Sequence, residues 1–187
     1  ISKIKIDERQ YLTKYFHSFL KNKTKNDAQT KKCIESAKKG LVRFVYYEIN
    51  WTIEYLTIMR YFPKSSCPML HRSHVILDFL NYKDTKIVDV LFMETSISEE
   101  NENWFYAEQL FLDSVKNDIE SNLELKCNII SFENEECPKI NIQGVFGTCA
   151  IWSLYFFYLY TLYPSRKDIF NMFKNIDIKS RNDILLF

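Results

Sequence analysis

The stretch Gln143 to Cys149, QGVFGTC, sets two glycines ahead of a thiol, and the uncharged aromatic run AIWSLYFFYLYTLYP follows it directly. If that run is a helix, Cys149 stands at its N-terminus. There the unpaired backbone amides and the positive end of the dipole favour an anion, and a thiol so placed tends to ionise. Gly144 and Gly147 allow a tight turn and let a substrate backbone come close. The chemistry this suggests is acyl transfer through a thioester, with Cys149 as nucleophile. The competing reading is an inert core thiol beside an ordinary turn, because cysteine is among the most buried residue types.

A thiol nucleophile needs a base within reach and a third group that orients the base. The chain holds three histidines, His17, His71 and His74. His17 reads as a surface residue of an N-terminal helix. His71 and His74 stand at the entrance to HVILDFLNYKDTKIVDVLFME, which reads as a hairpin turning about Asp84. In that register His74 faces Glu94, close enough for a carboxylate to accept an imidazole proton. His74, Ile76 and Leu80 then share a face with Glu94, Phe92 and Val90, and His71, three residues from His74, points the other way. His74 is thus the candidate base and Glu94 the candidate acid. Asp78, on the same face, and Asp89, should the register slip, remain alternatives, and a strand-end histidine bonded to solvent or backbone is the plainer reading of His74. Gln143 completes the set: its side-chain amide, with the backbone N–H of Cys149, can hold an oxyanion without adding charge.

The elements that must position these groups follow from pattern. DERQYLTKYFHSFLKNK, Asp7 to Lys23, spaces its aromatics as an amphipathic helix. A Lys-rich piece after it reads as a second short helix with a solvated basic face, and Gly40 is placed to stop it in the left-handed conformation. LVRFVYYEI and WTIEYLTIMRYF read as strands. SISEENENWFYAEQLFLDSVKNDIES reads as a capped amphipathic helix, LKCNIISF as a short strand and ENEECPK as a loop. The run from Ala150 to Tyr163 is shorter than a membrane span and rich in hydroxyl groups, so it reads as a buried helix.

Composition limits what else the chain can be. Its 187 residues, 47% hydrophobic and 16% aromatic, suffice for one substantial core. With 25 basic and 24 acidic residues no overall field selects a polyanion, so nucleic acid is not favoured, and no membrane span is expected. Five cysteines, at 33, 67, 127, 137 and 149, are scattered and odd in number. That suggests a reducing, intracellular compartment and not a disulfide framework. The chain begins at Ile1 without a Met or a secretory leader, which reads as an excised domain or processed product.

The order His, acid, Gln, Cys resembles the cysteine peptidases of the adenovirus-protease and SUMO-protease type. HVILDF, VLFMETS, CPKINIQ and GTCAIWSLYFFYLYTLYPS look most like the members of that superfamily found in large DNA viruses. The resemblance covers about residues 41 to 170. It implies Cys149 as nucleophile, His74 as base, Glu94 as orienting acid and Gln143 as oxyanion donor, with Trp152 and Ser153 as helix-packing residues. Met93-Glu94-Thr95 departs from the Phe-Glu-Pro pattern of those proteins.

The expectation is therefore a single α+β domain over 1–187, a helical extension at 1–40 and a catalytic core at 41–187. A central mixed or antiparallel sheet would carry a buried nucleophile helix and flanking helices, in the papain-like superfamily. The expected activity is a cysteine peptidase that needs no cofactor and cleaves peptide or isopeptide bonds in ubiquitin-like conjugates or viral precursor proteins. The alternatives are an inactive binding module on the same fold, an acyltransferase using the same Cys-His-acid set, and a zinc site drawn from Cys67, His71 and His74 with Cys137 or Cys127.

Overall fold

In a computed structural model the described residues are 28–51, 71–95, 103–138, 140, 142 and 148–184, apart from the side chains at 47–51, 71, 103–107, 133, 178 and 182. The expected N-terminal helix at 7–23, the strand expected beyond Trp51, and His17, Cys67, Gln143, Gly144 and Gly147 lie outside them. The Cα positions cluster into two compact units, treated separately below. In described residues the first comprises 28–47, 75–92 and 106–130, and the second 48–51, 71–74, 93–95, 103–105 and 131–184.

Among the described residues the first unit begins with α1 (Ala28–Lys38). Its end follows the expected chemistry: Gly40 sits at φ 75°, the Leu41 amide returns to the Ser36 carbonyl at 3.0 Å and the Gly40 amide to that of Ala37 at 2.8 Å. This paired closure satisfies the last carbonyls of the helix. Four strands form one sheet in the order β1-β2-β3-β4: β1 (Phe44–Trp51), β2 (His71–Asp78), β3 (Ile87–Met93) and β4 (Lys126–Ile130). The amide of Phe79 donates to the carbonyl of Arg43 at 2.9 Å, so the end of β2 lies beside the start of β1 and the two run antiparallel.

Residues 79–86, which include the short helix α2 (Tyr82–Thr85), join β2 to β3. A link of that length cannot make a parallel crossover, so this pair is antiparallel as well. β3 and β4 pair in parallel, from Ile87 with Lys126 to Leu91 with Ile130, and the long helix α3 (Asn103–Leu123) lies between them in sequence, as a parallel connection requires. The sheet is therefore mixed, and the expected α+β class holds.

Phe111, Leu112, Val115 and Ile119 make one buried stripe along α3, and Phe111 meets Phe92 of β3 with ring centroids 5.2 Å apart. β2 and β3 are buried on both faces, from Ser73 to Asp78 and at Val88 and 90–93, as interior strands are. Leu80 departs from expectation. It lies past the end of β2 and is exposed, because β2 stops at Asp78, whose carboxylate receives the Leu80 amide at 2.9 Å and turns the chain.

The second unit holds α4 (Phe132–Glu135), α5 (Cys149–Leu162), α6 (Arg166–Phe173) and α7 (Ile178–Ile184). The start of ENEECPK is helical, not a loop, because Ser131 closes the turn: its carbonyl takes the Glu135 amide at 3.2 Å and its hydroxyl the Asn134 amide at 3.3 Å. The helix expected from Ala150 to Tyr163 is present as α5. Its buried face, Cys149, Trp152, Ser153, Phe156, Leu159 and Tyr160, packs through aromatic contacts such as Trp152 with Phe173 at 5.5 Å and Phe156 with Phe170 at 5.3 Å. Its opposite face corrects the expectation of a wholly buried helix. Ile151, Leu154, Tyr158 and Leu162 follow one stripe and are each about half exposed. No helix among the described residues is long and apolar enough to cross a membrane.

Candidate active site

Cys149 is the first residue of α5 and is 4% exposed. Thr148 ahead of it has φ −96° and ψ 0°, and its side chain makes no capping bond to the helix. The first-turn amides of α5 have no carbonyl partner within the helix, so this end can stabilise negative charge on a sulfur or an oxyanion.

His74 lies in β2 and is 1% exposed, with both ring nitrogens shut off from solvent. Helix α5 is tied to the same strand, since the Ser153 hydroxyl donates to the Arg72 carbonyl at 3.4 Å. Cys149 is one turn of helix from Ser153, about 6 Å along its axis, and His74 is two residues of strand from Arg72, about 7 Å. Cys149 and His74 each lie within a few residues of this link.

Glu94 is the first residue past β3 and is 1% exposed. Its neighbour Thr95 accepts the Ile142 amide at 3.0 Å, and both of these residues are fully buried. Ile142 immediately precedes Gln143, so the chain leading to the expected oxyanion donor is fixed beside the expected acid. The second unit accordingly holds Cys149 in α5, His74 in β2 and Glu94 just past β3, all buried.

The two alternative acids are engaged in the first unit. Asp78 is buried and receives a two-pronged bond from Arg43, Nε to Oδ1 at 2.9 Å and Nη2 to Oδ2 at 2.7 Å. Asp89 accepts from the Asn128 side chain at 2.7 Å. Of the residues weighed as zinc ligands, Cys67 and the His71 side chain lie outside the described residues. Cys137 donates its thiol to Glu135 at 3.2 Å, and Cys127 bonds the Leu125 carbonyl at 3.8 Å.

Pattern reading missed a buried ion pair of the second unit. Arg166, at the start of α6, is wholly buried, pairs with Glu135 at 2.8 Å and lies over the Phe132 ring at 3.9 Å. Glu135 closes α4, from which the chain runs on towards Cys149. The one sequence signal was a serine ahead of an arginine at a helix start: Ser165 caps α6 by accepting the Asp168 amide at 3.3 Å.

Compared with known protein families, with curated proteins and with solved structures, the chain matches none.

Proposed function

We propose that the chain is a cysteine peptidase that cleaves peptide or isopeptide bonds. The observation that carries this reading is the burial of Cys149, His74 and Glu94 in one unit, with the nucleophile helix tied to the histidine strand through Ser153 and Arg72. His74 takes the thiol proton of Cys149, and the thiolate adds to the substrate carbonyl. The Cys149 amide and the Gln143 side chain hold the oxyanion. As the tetrahedral species collapses, the C–N bond breaks and His74 gives its proton to the leaving amine. Water, deprotonated by His74, then hydrolyses the thioester and restores the thiol. Glu94 keeps the imidazole oriented and stabilises its charged form.

A thiol only 4% exposed suits a thin substrate segment. The glycine-rich tails of ubiquitin-like proteins and the glycine-containing junctions of viral precursors both provide one. Incubation with ubiquitin-like proteins carrying a C-terminal electrophile, and with peptide electrophiles, tests the assignment. The expected result is one covalent adduct on Cys149, absent in Cys149→Ala. An adduct that persists in Cys149→Ala, or none with any probe, overturns it. Release of acid in place of an amine-captured product separates hydrolysis from acyl transfer.

A further inference from the structure

We infer that one end of the first unit is a docking surface for an anionic lipid bilayer, where aliphatic side chains on two neighbouring turns enter the headgroup region and lysines beside them hold it. The turns are residues 39–43, between α1 and β1, and residues 79–86, between β2 and β3. The Phe79 amide donates to the Arg43 carbonyl at 2.9 Å, and the Lys83 side chain lies against Gly40, in the space a Cβ would take. Both turns therefore stand together at the end of the sheet where β1 starts and β2 stops.

Their aliphatic side chains meet water: Leu41 is 75% exposed, Leu80 59% and Val42 43%. A single exposed leucine is ordinary, whereas several at adjoining turns mark a contact surface. The backbone holds two of them out. The Leu41 amide closes α1 onto the Ser36 carbonyl, and the Leu80 amide is taken by the Asp78 carboxylate at 2.9 Å. Each leucine is thus fixed at a turn by bonds that do not require its own side chain to pack.

Charge selects the occupant. Lys38 is paired with Glu35 at 2.9 Å and Arg43 with Asp78. Lys39, Lys83 and Lys86 carry no ion pair among the described residues, and Lys86 reaches only the Lys83 carbonyl and the Tyr82 ring. Asp84 is the one carboxylate of the two turns, so the surface is positive. An acidic protein would answer that charge, but protein interfaces favour aromatic residues and arginine and are depleted in lysine. Here the exposed groups are Leu, Val and Lys, and the one arginine is already paired. Aliphatic tips with lysines at headgroup level suit a bilayer, because each lysine adds attraction to an anionic leaflet while its stem lies along apolar surface.

The test is flotation of the full chain with vesicles of phosphatidylcholine alone, and of phosphatidylcholine and phosphatidylserine in equal parts. Binding to the mixed vesicles should be at least about tenfold tighter and should fall as salt rises. Lys39→Glu/Lys83→Glu should weaken it at least about tenfold, and so should Leu41→Ser/Leu80→Ser. All four side chains are exposed, so circular dichroism should stay unchanged in both variants. Leu80→Trp should gain fluorescence that brominated acyl chains quench, and polyglutamate, which offers charge without an apolar interior, should not displace the protein from the vesicles. No binding to the mixed vesicles, equal binding to both kinds, wild-type binding by either double variant, or no quenching at position 80 overturns the inference. Displacement by polyglutamate also overturns it and assigns the surface to an acidic macromolecule.

Discussion

The backbone amide of Ile142 donates to the carbonyl of Thr95 at 3.0 Å, joining the residue before Gln143 to the residue after Glu94. Both partners are fully buried, and a hydrogen bond shielded from water is hard to open. The tie belongs to the backbone, so Gln143→Ala leaves it intact. That substitution should lower turnover by about 10²–10³, the usual effect of losing one oxyanion donor, without moving the urea midpoint. Wild-type steady-state rates in Gln143→Ala would remove Gln143 from the reaction.

His74 lies in β2 and is 1% exposed, and His71 stands three residues before it in the sequence. His74→Ala should abolish adduct formation by peptide electrophiles, while His71→Ala should retain most of it. Mass spectrometry of the intact protein reads both variants, and the reverse pattern would assign the base to His71.

Glu94 and Asp78 are both buried, and substitution separates their roles. Glu94→Gln should slow turnover strongly and leave the fold intact, as loss of an orienting carboxylate does. Asp78→Asn breaks a charged, two-pronged bond to Arg43 and should lower stability by about 1.5–3 kcal/mol with the reaction rate retained. Urea unfolding and kinetics on the same samples decide. A dead but stable Asp78→Asn would transfer the acid role to Asp78.

Arg166 is sealed from solvent against Glu135 and Phe132. Truncating it to Met leaves the Glu135 charge without its partner and should cost about 3–5 kcal/mol. The double variant Arg166→Met/Glu135→Gln should recover most of that loss, because no lone charge remains. A double variant as unstable as the sum of the two singles would show that the two residues act independently.

Burial, with the Glu120 carboxylate nearby, pushes the Cys127 thiol up to about 12 from an ordinary 9.0, against a small opposing pull from Lys116. Near neutral pH iodoacetamide should modify the exposed Cys33 and spare Cys127. Since the folded-state value is the higher one, the stabilisation linked to this thiol is complete below pH 9.0 and is lost as pH rises through about 12. Alkylation followed over pH by peptide mass mapping checks the first statement and alkaline unfolding the second. Modification of folded Cys127 near neutral pH would contradict both.

The helix that begins at Cys149 was legible to within one residue because an uncharged run between a glycine turn and Pro164 has little else to become. Its half-open face was not. A sequence apolar all round states that burial is favourable, without stating which neighbours supply it. Gly40 was readable for a local reason, the left-handed turn, and β1 and β4 for theirs, a high content of β-branched and aromatic residues. The α4 turn was missed because its closing serine had been read as strand, so the polar residues after it looked like a loop. The Glu135–Arg166 pair spans 31 positions, and nothing local in ENEECPK or SRKDIF identifies one as the partner of the other. For the site, chain order singled out Cys149, His74 and Glu94 as candidates, whereas the partners of the alternative acids, Arg43 for Asp78 and Asn128 for Asp89, are revealed only by the folded chain.

The open stripe of α5 also shapes how the protein responds to temperature. Ile151, Leu154, Tyr158 and Leu162 already meet water in the native state, so their exposed portions add no newly hydrated apolar surface when the chain melts. The heat-capacity increment of unfolding, which scales with that surface, is correspondingly smaller than for a chain of this length with α5 enclosed. A smaller increment flattens the stability curve, so cooling from the temperature of maximum stability weakens this fold more gradually than it would one whose aromatic helix is fully covered.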